Sequence, residues 1–415
     1  MDRRAFLKRA SLAGMGLGLG RALWAQPGPN DRIAVAVIGL GLMGAYHVEQ
    51  LSRQRRVEVR AVCDVDGERL RQLVERMPRR PQGYTDYREL LSSETVDAVV
   101  IATPDHWHAP IALRAMRAGK DVYIEKPLAQ TVAESRQVVA MAERCGRIVQ
   151  VGLQQRASGH VRTVIELIRS GRLGKVELCR CWKGGGGAAK PVPDTAPPAG
   201  LDWDRWLGPA PWSPYNPLRC HTNWRWYWDY GGGLMTDWGV HLIDLAHWAL
   251  GDDTPRSIEA SGIFDATSSF ETPTVMDVTY EYPSYHLGWS QNSFRGLPDE
   301  EYGVMFYGSR GKLFVNRAGY RILPEDLRVA PIGPADYELP RVRGQMDEFL
   351  DCVVSRRQPT CDATVGHAST TASHLGNVAL RVGRKLTWDS AKERFVDDPE
   401  ADRMLSRVAR APYAW

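Results

Sequence analysis

The chain has 415 residues, of which 43% are hydrophobic and 25% are charged. This length suits two domains and allows a large core to form without covalent cross-links. Seven cysteines include no C-x-x-C pair, so neither a zinc ribbon nor a disulfide scaffold is expected. The formal net charge of +4 comes from the N-terminal segment, and the rest of the chain carries equal numbers of basic and acidic residues. This balance argues against a nucleic-acid partner.

The N-terminal segment has the pattern of an export signal. Arg3 and Arg4 are followed by apolar residues, by Lys8 and by a weakly apolar, glycine-rich run that is too short to span a bilayer. The pattern resembles a twin-arginine signal. We therefore expect residues 1–31 to be a signal and linker, the twin-arginine export machinery to be a partner, and the protein to be periplasmic or secreted. A disordered basic N-terminus is the alternative.

After the linker, short apolar segments alternate with amphipathic ones. The predicted strands are 33–38, 57–63, 96–102, 121–125 and 148–151, and the predicted helices lie near 42–53, 66–77, 106–118 and 131–144. Nearly continuous apolar strands that alternate with helices are typical of a parallel sheet covered on both faces. The sequence therefore predicts an α/β fold with an N-terminal Rossmann domain, a doubly wound parallel sheet over residues 32–153.

The remaining residues, 154–415, have a different pattern of predicted elements. A Gly/Pro/Trp-rich insertion at 184–230 precedes a predicted helix at 233–249. Strands are then predicted from alternating segments at 256–263, 274–282, 285–292, 302–307 and 311–315. Two predicted helices follow, near 343–355 and 364–382. Alternation of this kind favours an antiparallel sheet within an α+β domain.

A glycine-rich turn, G-L-G-L-M-G, directly follows the first predicted strand and opens a helix. Such a turn lets the backbone approach a pyrophosphate and directs a helix N-terminus at it. Asp64 follows the next strand, where a carboxylate would bind the ribose hydroxyls and repel a 2′-phosphate. NAD is therefore favoured, while Arg69 nearby leaves NADP open. The predicted cofactor contacts here are Gly39, Gly41, Leu42, Met43, Gly44 and Asp64.

Two further motifs lie at the ends of predicted strands, A-T-P-D-H-W-H at 102–108 and E-K-P at 125–127. Ligands of open α/β sheets bind at the carboxyl ends of the strands. The sequence therefore predicts additional cofactor contacts from these motifs and from the end of the last strand, namely Thr103, Pro104, His108, Glu125, Lys126 and Gln154.

A third motif follows three glycines at 231–233. Asp237, His241 and Asp244 have the i, i+4 and i+7 spacing that places them on one face of a helix. A carboxylate beside an imidazole suits general acid–base chemistry. One histidine with two acids is a poor zinc site, so no metal is expected. A face of helix caps and salt bridges is the alternative.

Together these motifs resemble the Gfo/Idh/MocA oxidoreductases, the family of glucose–fructose oxidoreductase and inositol dehydrogenase. The resemblance covers roughly residues 32–390 and also includes G-x-x-x-R at Gly152–Arg156. It implies that Lys126, Asp237 and His241 are the catalytic residues and line the substrate beside the nicotinamide. It further implies that the second sheet is open and that its face forms a homo-oligomer contact.

Nine of the fourteen tryptophans lie between residues 182 and 248, and a W-R-W-Y-W-D-Y run leads into the third motif. Such rings either form a core beneath a long loop or stack on sugar rings. Their position next to the third motif favours a carbohydrate site. The predicted substrate contacts are Arg156, Trp226, Tyr230, Asp237 and His241.

These features predict an exported NAD-dependent oxidoreductase that acts on a hydroxyl of a sugar, glycoside or polyol. Either Lys126 or His241 would be the base. One alternative is an NAD-dependent glycoside hydrolase on the same scaffold, which oxidises C3 transiently and eliminates the aglycone. A second alternative, a non-catalytic sugar or nucleotide binder, is disfavoured because Lys126, Asp237 and His241 are all present.

Overall fold

The computed structural model describes residues 32–414, except for 293–296, 298, 325–329, 331–332 and 334–338. The predicted export signal at 1–31 lies outside the described residues. Within them, no helix is long and apolar enough to cross a membrane.

Over the described residues, the first sheet contains six strands in the order β3-β2-β1-β4-β5-β6, all of them parallel. The strands are β1 (Ile33–Ile38), β2 (Val57–Cys63), β3 (Gln82–Tyr84), β4 (Ala98–Ile101), β5 (Asp121–Ile124) and β6 (Val149–Val151). The helices are α1 (Leu42–Ser52), α2 (Gly67–Arg76), α3 (Tyr87–Ser93), α4 (His108–Arg117) and α5 (Val132–Cys145). This arrangement confirms the predicted Rossmann sheet. The strand order reverses between β1 and β4, which creates a crevice at their carboxyl ends.

Local sequence explains where these elements begin and end. Every residue of β1 is buried, as expected for a central strand covered on both faces. The side chain of Asp66 accepts hydrogen bonds from the first amides of α2, and Thr131 caps α5 in the same way. The sequence prediction omitted β3, because a three-residue strand without an apolar run has no period to detect. It also omitted α3, a helix of only seven residues.

The second sheet has nine strands over the described residues, in the order β13-β12-β11-β7-β10-β9-β8-β14-β15. They are β7 (Val176–Lys183), β8 (Ser257–Ile263), β9 (Val275–Glu281), β10 (His286–Gln291), β11 (Tyr302–Gly308), β12 (Gly311–Val315), β13 (Tyr320–Leu323), β14 (Leu386–Asp389) and β15 (Arg394–Phe395). The expectation of a purely antiparallel sheet is corrected, since β7 and β10 pair in parallel. The connection between them contains the insertion, a helix and the strands β8 and β9, and β10 runs in the same direction as β7.

Helices from the second half of the chain cover this sheet and also reach the first one. The remaining helices are α6 (Gly159–Arg169), α7 (Trp203–Leu207), α8 (Val240–Leu250), α9 (Gln345–Ser355), α10 (Ala363–Val382) and α11 (Pro399–Arg403). Residues of α6, α8 and α10 share a core with the second sheet. In contrast, Phe349 and Leu350 of α9 are buried in the core of the first sheet. Residues 154–415 therefore do not pack only with one another.

The tryptophan-rich insertion forms its own small core. This cluster includes Trp203, Trp206, Tyr215, Trp224 and Tyr230. Main-chain hydrogen bonds tie the insertion to the Rossmann domain, from Gly67 N to Gly200 O (2.9 Å) and from Asp202 N to Val65 O (3.0 Å). These bonds hold the insertion next to the carboxyl ends of β1 and β2.

Candidate active site

A cleft of about 360 Å³ opens at the carboxyl ends of β1, β2, β4 and β5. One wall consists of the residues that follow these strands, including Gly39, Asp64, Thr103 and Lys126. The insertion supplies the opposite wall, with Arg225 among its lining residues. The cleft thus lies between the first sheet and the insertion, at the point where the strand order reverses.

The glycine turn after β1 has the geometry that a bound pyrophosphate requires. Gly39 has φ +87°, and a Cβ there would lie 2.7 Å from the backbone of Ala102 and Thr103. A Cβ on Gly44 would lie 1.7 Å from the carbonyl oxygen of Gly39, so only glycine allows α1 to approach this closely. At the N-cap, Gly41 offers no side-chain acceptor to the first amides of α1. These residues therefore fit the diphosphate of NAD at a helix N-terminus.

Asp64 lies at the second strand end of the cleft, as predicted. Its carboxylate accepts hydrogen bonds from the amides of Leu40 (2.7 Å) and Asp66 (2.9 Å). Burial raises the pKa of Asp64, although both amides act against the rise. Arg69 Nη1 is 3.9 Å from the carboxylate. Each carboxylate oxygen keeps a lone pair for a ribose hydroxyl.

The motif after β4 contributes one side chain without a partner. The Thr103 hydroxyl is buried, lines the cleft together with Pro104, and has no hydrogen-bond partner among the described residues. His108 also lines the cleft, but its ring nitrogens contact the carbonyl oxygens of Thr103 (3.0 Å) and Pro127 (2.6 Å). His108 therefore links the loop after β4 to the loop after β5. The Thr103 hydroxyl, in contrast, is available to bind a ligand.

Glu125 is held in place by two side chains, those of His47 and Gln154. It contacts His47 Nε2 (2.8 Å) and accepts hydrogen bonds from the Gln154 amide (3.2 and 3.3 Å). A Cβ on Gly152 would lie 2.7 Å from Glu125. Sequence reasoning did not single out His47, because a partner 78 residues away leaves no local signal.

A salt bridge between Lys126 and Asp237 joins the two halves of the chain. The Lys126 ammonium donates to the Asp237 carboxylate (2.6 Å) and to its main-chain carbonyl (2.7 Å). Arg225 Nε lies 3.4 Å from the same carboxylate oxygen. Burial by itself would raise the pKa of Asp237, but the two cations hold it well below its usual range. The carboxylate is therefore ionised.

His241 lies near this ion pair and is 4% exposed. Its Nδ1 has no hydrogen-bond partner among the residues that the structure describes. Burial lowers the pKa of His241 well below 6.5, and the charges of Lys126 and Arg317 lower it further. The imidazole is therefore neutral at neutral pH and can accept a proton.

The segment that carries these residues is not a regular α-helix. Met235–Gly239 form a π-helical turn, and α8 begins at Val240. A π turn of this kind is frequent at functional sites. The expected common face does not extend to Asp244, because Asp244 is paired with Arg156 by two hydrogen bonds of 2.8 Å.

Arg156 was predicted to contact the substrate, and the structure places it elsewhere. Its side chain is 9% exposed, its partner Asp244 is 1% exposed, and its guanidinium lies 5.0 Å from the ring of Trp248. The donors of Arg156 are therefore committed to a buried ion pair. The G-x-x-x-R motif fits a structural role better than the predicted substrate contact.

Two aromatic residues were also predicted to contact the substrate. Tyr230 is 1% exposed, packs on Trp206, and has its hydroxyl 2.9 Å from Ser213, so the structure corrects this expectation. The insertion needs a core of its own, and Tyr230 belongs to it. Trp226 is half-buried and stacks on Phe270 with ring centroids 6.0 Å apart.

Two residues of the cleft were overlooked by the sequence prediction. Asp105 is 4% exposed and lines the cleft beside Lys126. Burial raises its pKa well above the usual range, although Lys126 and Arg225 oppose the rise. Arg225 lies within the tryptophan-rich run at 224–230. A charged residue among these aromatic residues was the only feature of the sequence that could have indicated its role. Both side chains adjoin the Lys126–Asp237 pair.

Comparison with known proteins identifies the family. The model described as "Oxidoreductase family, NAD-binding Rossmann fold" matches residues 33–153, and "Oxidoreductase family, C-terminal alpha/beta domain" matches residues 178–415. The chain belongs to the Gfo/Idh/MocA oxidoreductase family. The prediction of NAD as cofactor is confirmed by this NAD-binding domain, together with the fit of the glycine turn.

Among curated relatives, a glycosyl hydrolase family 109 protein of Shewanella pealeana is 31% identical over 202 residues, which are 42% of this chain and 44% of that protein. Inositol 2-dehydrogenase of Rubrobacter xylanophilus is 39% identical over 157 residues, 37% of this chain and 45% of that protein. The matched segment thus spans less than half of either relative.

Among solved structures, the WlbA dehydrogenase of Bordetella pertussis, in complex with NADH and UDP-GlcNAcA, superposes with a TM-score of 0.66 at 18% identity. The superposition covers 86% of this chain and 99% of that chain. At this level of identity the likeness establishes the fold.

Proposed function

We propose that this protein is an exported NAD-dependent oxidoreductase that oxidises or reduces a hydroxyl or keto carbon of a sugar, glycoside or polyol. The observation that carries the proposal is the link from Lys126, which lines the cofactor cleft, to Asp237, with His241 near the pair. When bound there, NAD supplies a hydride acceptor. The three side chains supply the groups that handle the substrate oxygen and its proton.

Oxidation of an alcohol requires that the oxygen lose its proton as the carbon loses a hydride. His241 can accept this proton, because its imidazole is neutral and lies near Lys126 and Asp237. Lys126 donates a hydrogen bond to the substrate oxygen. Asp237 keeps the ammonium group oriented, since it already binds Lys126 through two oxygens. Reduction of a ketone uses the same groups in the reverse order.

The names of the relatives support a polyhydroxylated substrate. Inositol 2-dehydrogenase is named for a cyclic polyol, and the WlbA structure contains a nucleotide sugar. Asp105, Asp237 and Arg225 provide polar groups near the reacting position, as hydroxyl recognition requires.

Redox-assisted glycoside cleavage is the second candidate, and a specific observation favours it. Several curated relatives are named glycosyl hydrolase family 109 proteins, and one from Shewanella oneidensis is named alpha-N-acetylgalactosaminidase, 34% identical over 152 residues. Such a reaction would begin with the same oxidation and would end with NAD unchanged. Lys126, Asp237 and His241 would have the same roles in its first step.

The export part of the proposal rests on the twin-arginine pattern at residues 3 and 4. Replacing Arg3 and Arg4 together by Lys should block export, because recognition depends on the arginine pair. Cell fractionation after expression measures this, with Lys8→Arg as a charge-matched control that should be exported. Normal extracytoplasmic recovery of the Arg3→Lys/Arg4→Lys variant would contradict the proposal.

Mass spectrometry of the purified protein and its products tests the reaction. The protein is purified after export, its bound nucleotide is identified, and it is incubated with a panel of sugars, polyols and aryl glycosides. A keto product formed together with NADH, or with a reduced second sugar, supports the oxidoreductase. Release of free sugar and aglycone without net NADH supports glycoside cleavage. If the protein contains no NAD and forms no product from any compound, both candidate functions are contradicted.

A further inference from the structure

A group of cations surrounds Trp238, which follows Asp237 in the π-helical turn. The Arg317 guanidinium lies 4.5 Å from the centre of the indole ring, and Lys183 Nζ lies 5.0 Å from it. The ring of His241 is 6.5 Å from that of Trp238. A platform of Trp238 with stacked cations therefore begins next to the proposed base.

The charges near this platform are not equally compensated. Lys183 forms an ion pair with Glu301. The carboxylate of Asp237 is already shared by Lys126 and Arg225. Arg317 is exposed, and among the described residues no carboxylate lies within ion-pair distance of it. The charge of Arg317 is thus without a counter-charge on the described part of the chain.

The charge of Arg317 also acts at the site itself. It is among the causes that lower the pKa of His241, which requires the guanidinium to lie near the imidazole. The guanidinium lies over the indole ring of Trp238, and a planar guanidinium can bind a carboxylate through two parallel hydrogen bonds. A single uncompensated cation matches a monoanion better than a dianionic phosphate.

We propose that the substrate is an acidic sugar, a uronic acid or its glycoside, whose carboxylate is bound by Arg317 on the Trp238 platform while a ring hydroxyl faces His241. This inference rests on the proposed function and specifies its substrate class. The two groups share Trp238 as a neighbour, since the guanidinium lies 4.5 Å and the imidazole ring 6.5 Å from the centre of its ring. Arg317 is then a specificity-determining residue.

The test compares matched pairs of methyl glycosides. Methyl glucuronide and methyl galacturonide are measured against methyl glucoside and methyl galactoside, which differ only in the carboxylate, and glucose 6-phosphate provides a phosphate probe. Binding is measured by titration calorimetry of the NAD-loaded protein, and turnover by mass spectrometry of the products. We expect the uronide of at least one pair to have a Kd at least tenfold lower than its neutral partner.

Two arginine variants locate the effect. Arg317→Gln should raise the Kd and KM for the uronide at least tenfold and leave those for the neutral glycoside within about twofold. Arg321→Gln is the matched control, because Arg321 lies on the neighbouring β13 and is paired with Glu300 at 2.6 Å. It should behave as the wild type. Both positions are exposed at the surface, and thermal unfolding verifies that the variants fold.

Equal affinity for uronides and neutral glycosides, or an unchanged uronide Kd in Arg317→Gln, would overturn the inference even if turnover is seen. Tighter binding of glucose 6-phosphate than of either uronide would also overturn it. Absence of turnover with every compound would count against the proposed function instead, since the binding titrations still report on Arg317.

Discussion

The Lys126 ammonium donates to both the carboxylate and the main-chain carbonyl of Asp237, over 2.6 and 2.7 Å. These residues are 111 positions apart. Lys126 follows β5 of the first sheet, and Asp237 lies in the segment before α8. Because the carbonyl belongs to a π-helical turn, the contact depends on the local shape of that turn as well as on charge. The geometry of the proposed active site is therefore defined by a contact between the two halves of the chain.

Lys126→Met should impair both hydride transfer and cofactor retention. The substitution removes charge-assisted hydrogen bonds worth about 1.5–3 kcal/mol, or roughly 10- to 100-fold in a rate or affinity. Bound nucleotide and single-turnover rate are the measurements. Lys175→Met, at an exposed lysine, should change neither. Full NAD occupancy with normal turnover would show that the contact with Asp237 is only structural.

His241→Ala should lower turnover by about two to four orders of magnitude and leave NAD affinity nearly intact. A positioned proton acceptor contributes about this much. Since the pKa of His241 lies well below 6.5, the acidic limb of the wild-type pH–rate profile should also lie below that value. The exposed His286 is the control position, as His286→Ala. Wild-type hydride transfer in His241→Ala would leave Lys126 as the candidate base.

Asp64→Ala should weaken NAD binding and reduce the ratio by which the protein prefers NAD to NADP. The ribose loses a charged acceptor worth about 1.5–3 kcal/mol, and a 2′-phosphate loses a repulsive neighbour while Arg69 remains. Fluorescence titration with both nucleotides measures the change. Glu49→Ala, at an exposed carboxylate of α1, should have no effect. Unchanged affinity and selectivity would exclude Asp64 as the ribose ligand.

Asp244→Ala should destabilise the fold by about 3–5 kcal/mol, because it leaves the Arg156 guanidinium buried without its partner. Urea unfolding of the NAD-loaded protein measures the free energy. Glu75→Ala breaks an exposed ion pair and should cost less than about 1 kcal/mol. A raised KM for the substrate with unchanged stability would instead restore Arg156 to the substrate site.

His247→Gln should reduce the loss of folding stability that the protein undergoes at acidic pH. Burial lowers the pKa of His247 to about 3, whereas an unfolded histidine titrates near its ordinary value of 6.5. As the pH falls below about 6.5, His247 binds a proton in the unfolded state but not in the folded state. The free energy of unfolding therefore decreases. The wild type should thus lose about 2 kcal/mol more than the variant between pH 7 and pH 5, at about 1.4 kcal/mol per pH unit.

Urea unfolding at the two pH values gives this difference. The exposed His286→Gln serves as the matched control and should lose as much stability as the wild type. An equal loss in wild type and His247→Gln would mean that His247 is protonated in the folded protein.

Much of the fold followed from sequence because the elements carry local signals. The bounds of β1 and β2 agree with the prediction. β1 is a continuous apolar run, as expected of a strand buried at the centre of a parallel sheet. The glycine turn was recognisable because steric contacts at Gly39 and Gly44 exclude any side chain. The short β3 and the parallel pairing of β7 with β10 lack such signals, since pairing partners are set by chain direction at a distance.

The cofactor class was likewise determined by the sequence, because a strand, a glycine turn and a helix are adjacent in the chain. The tertiary structure decided which polar residues belong to the proposed site. It brought Arg225 and Asp105 to the Lys126–Asp237 pair and withdrew Arg156 and Tyr230 into buried contacts. A buried charge needs a partner within a few ångströms wherever that partner lies in the chain, and no local pattern encodes such a distance.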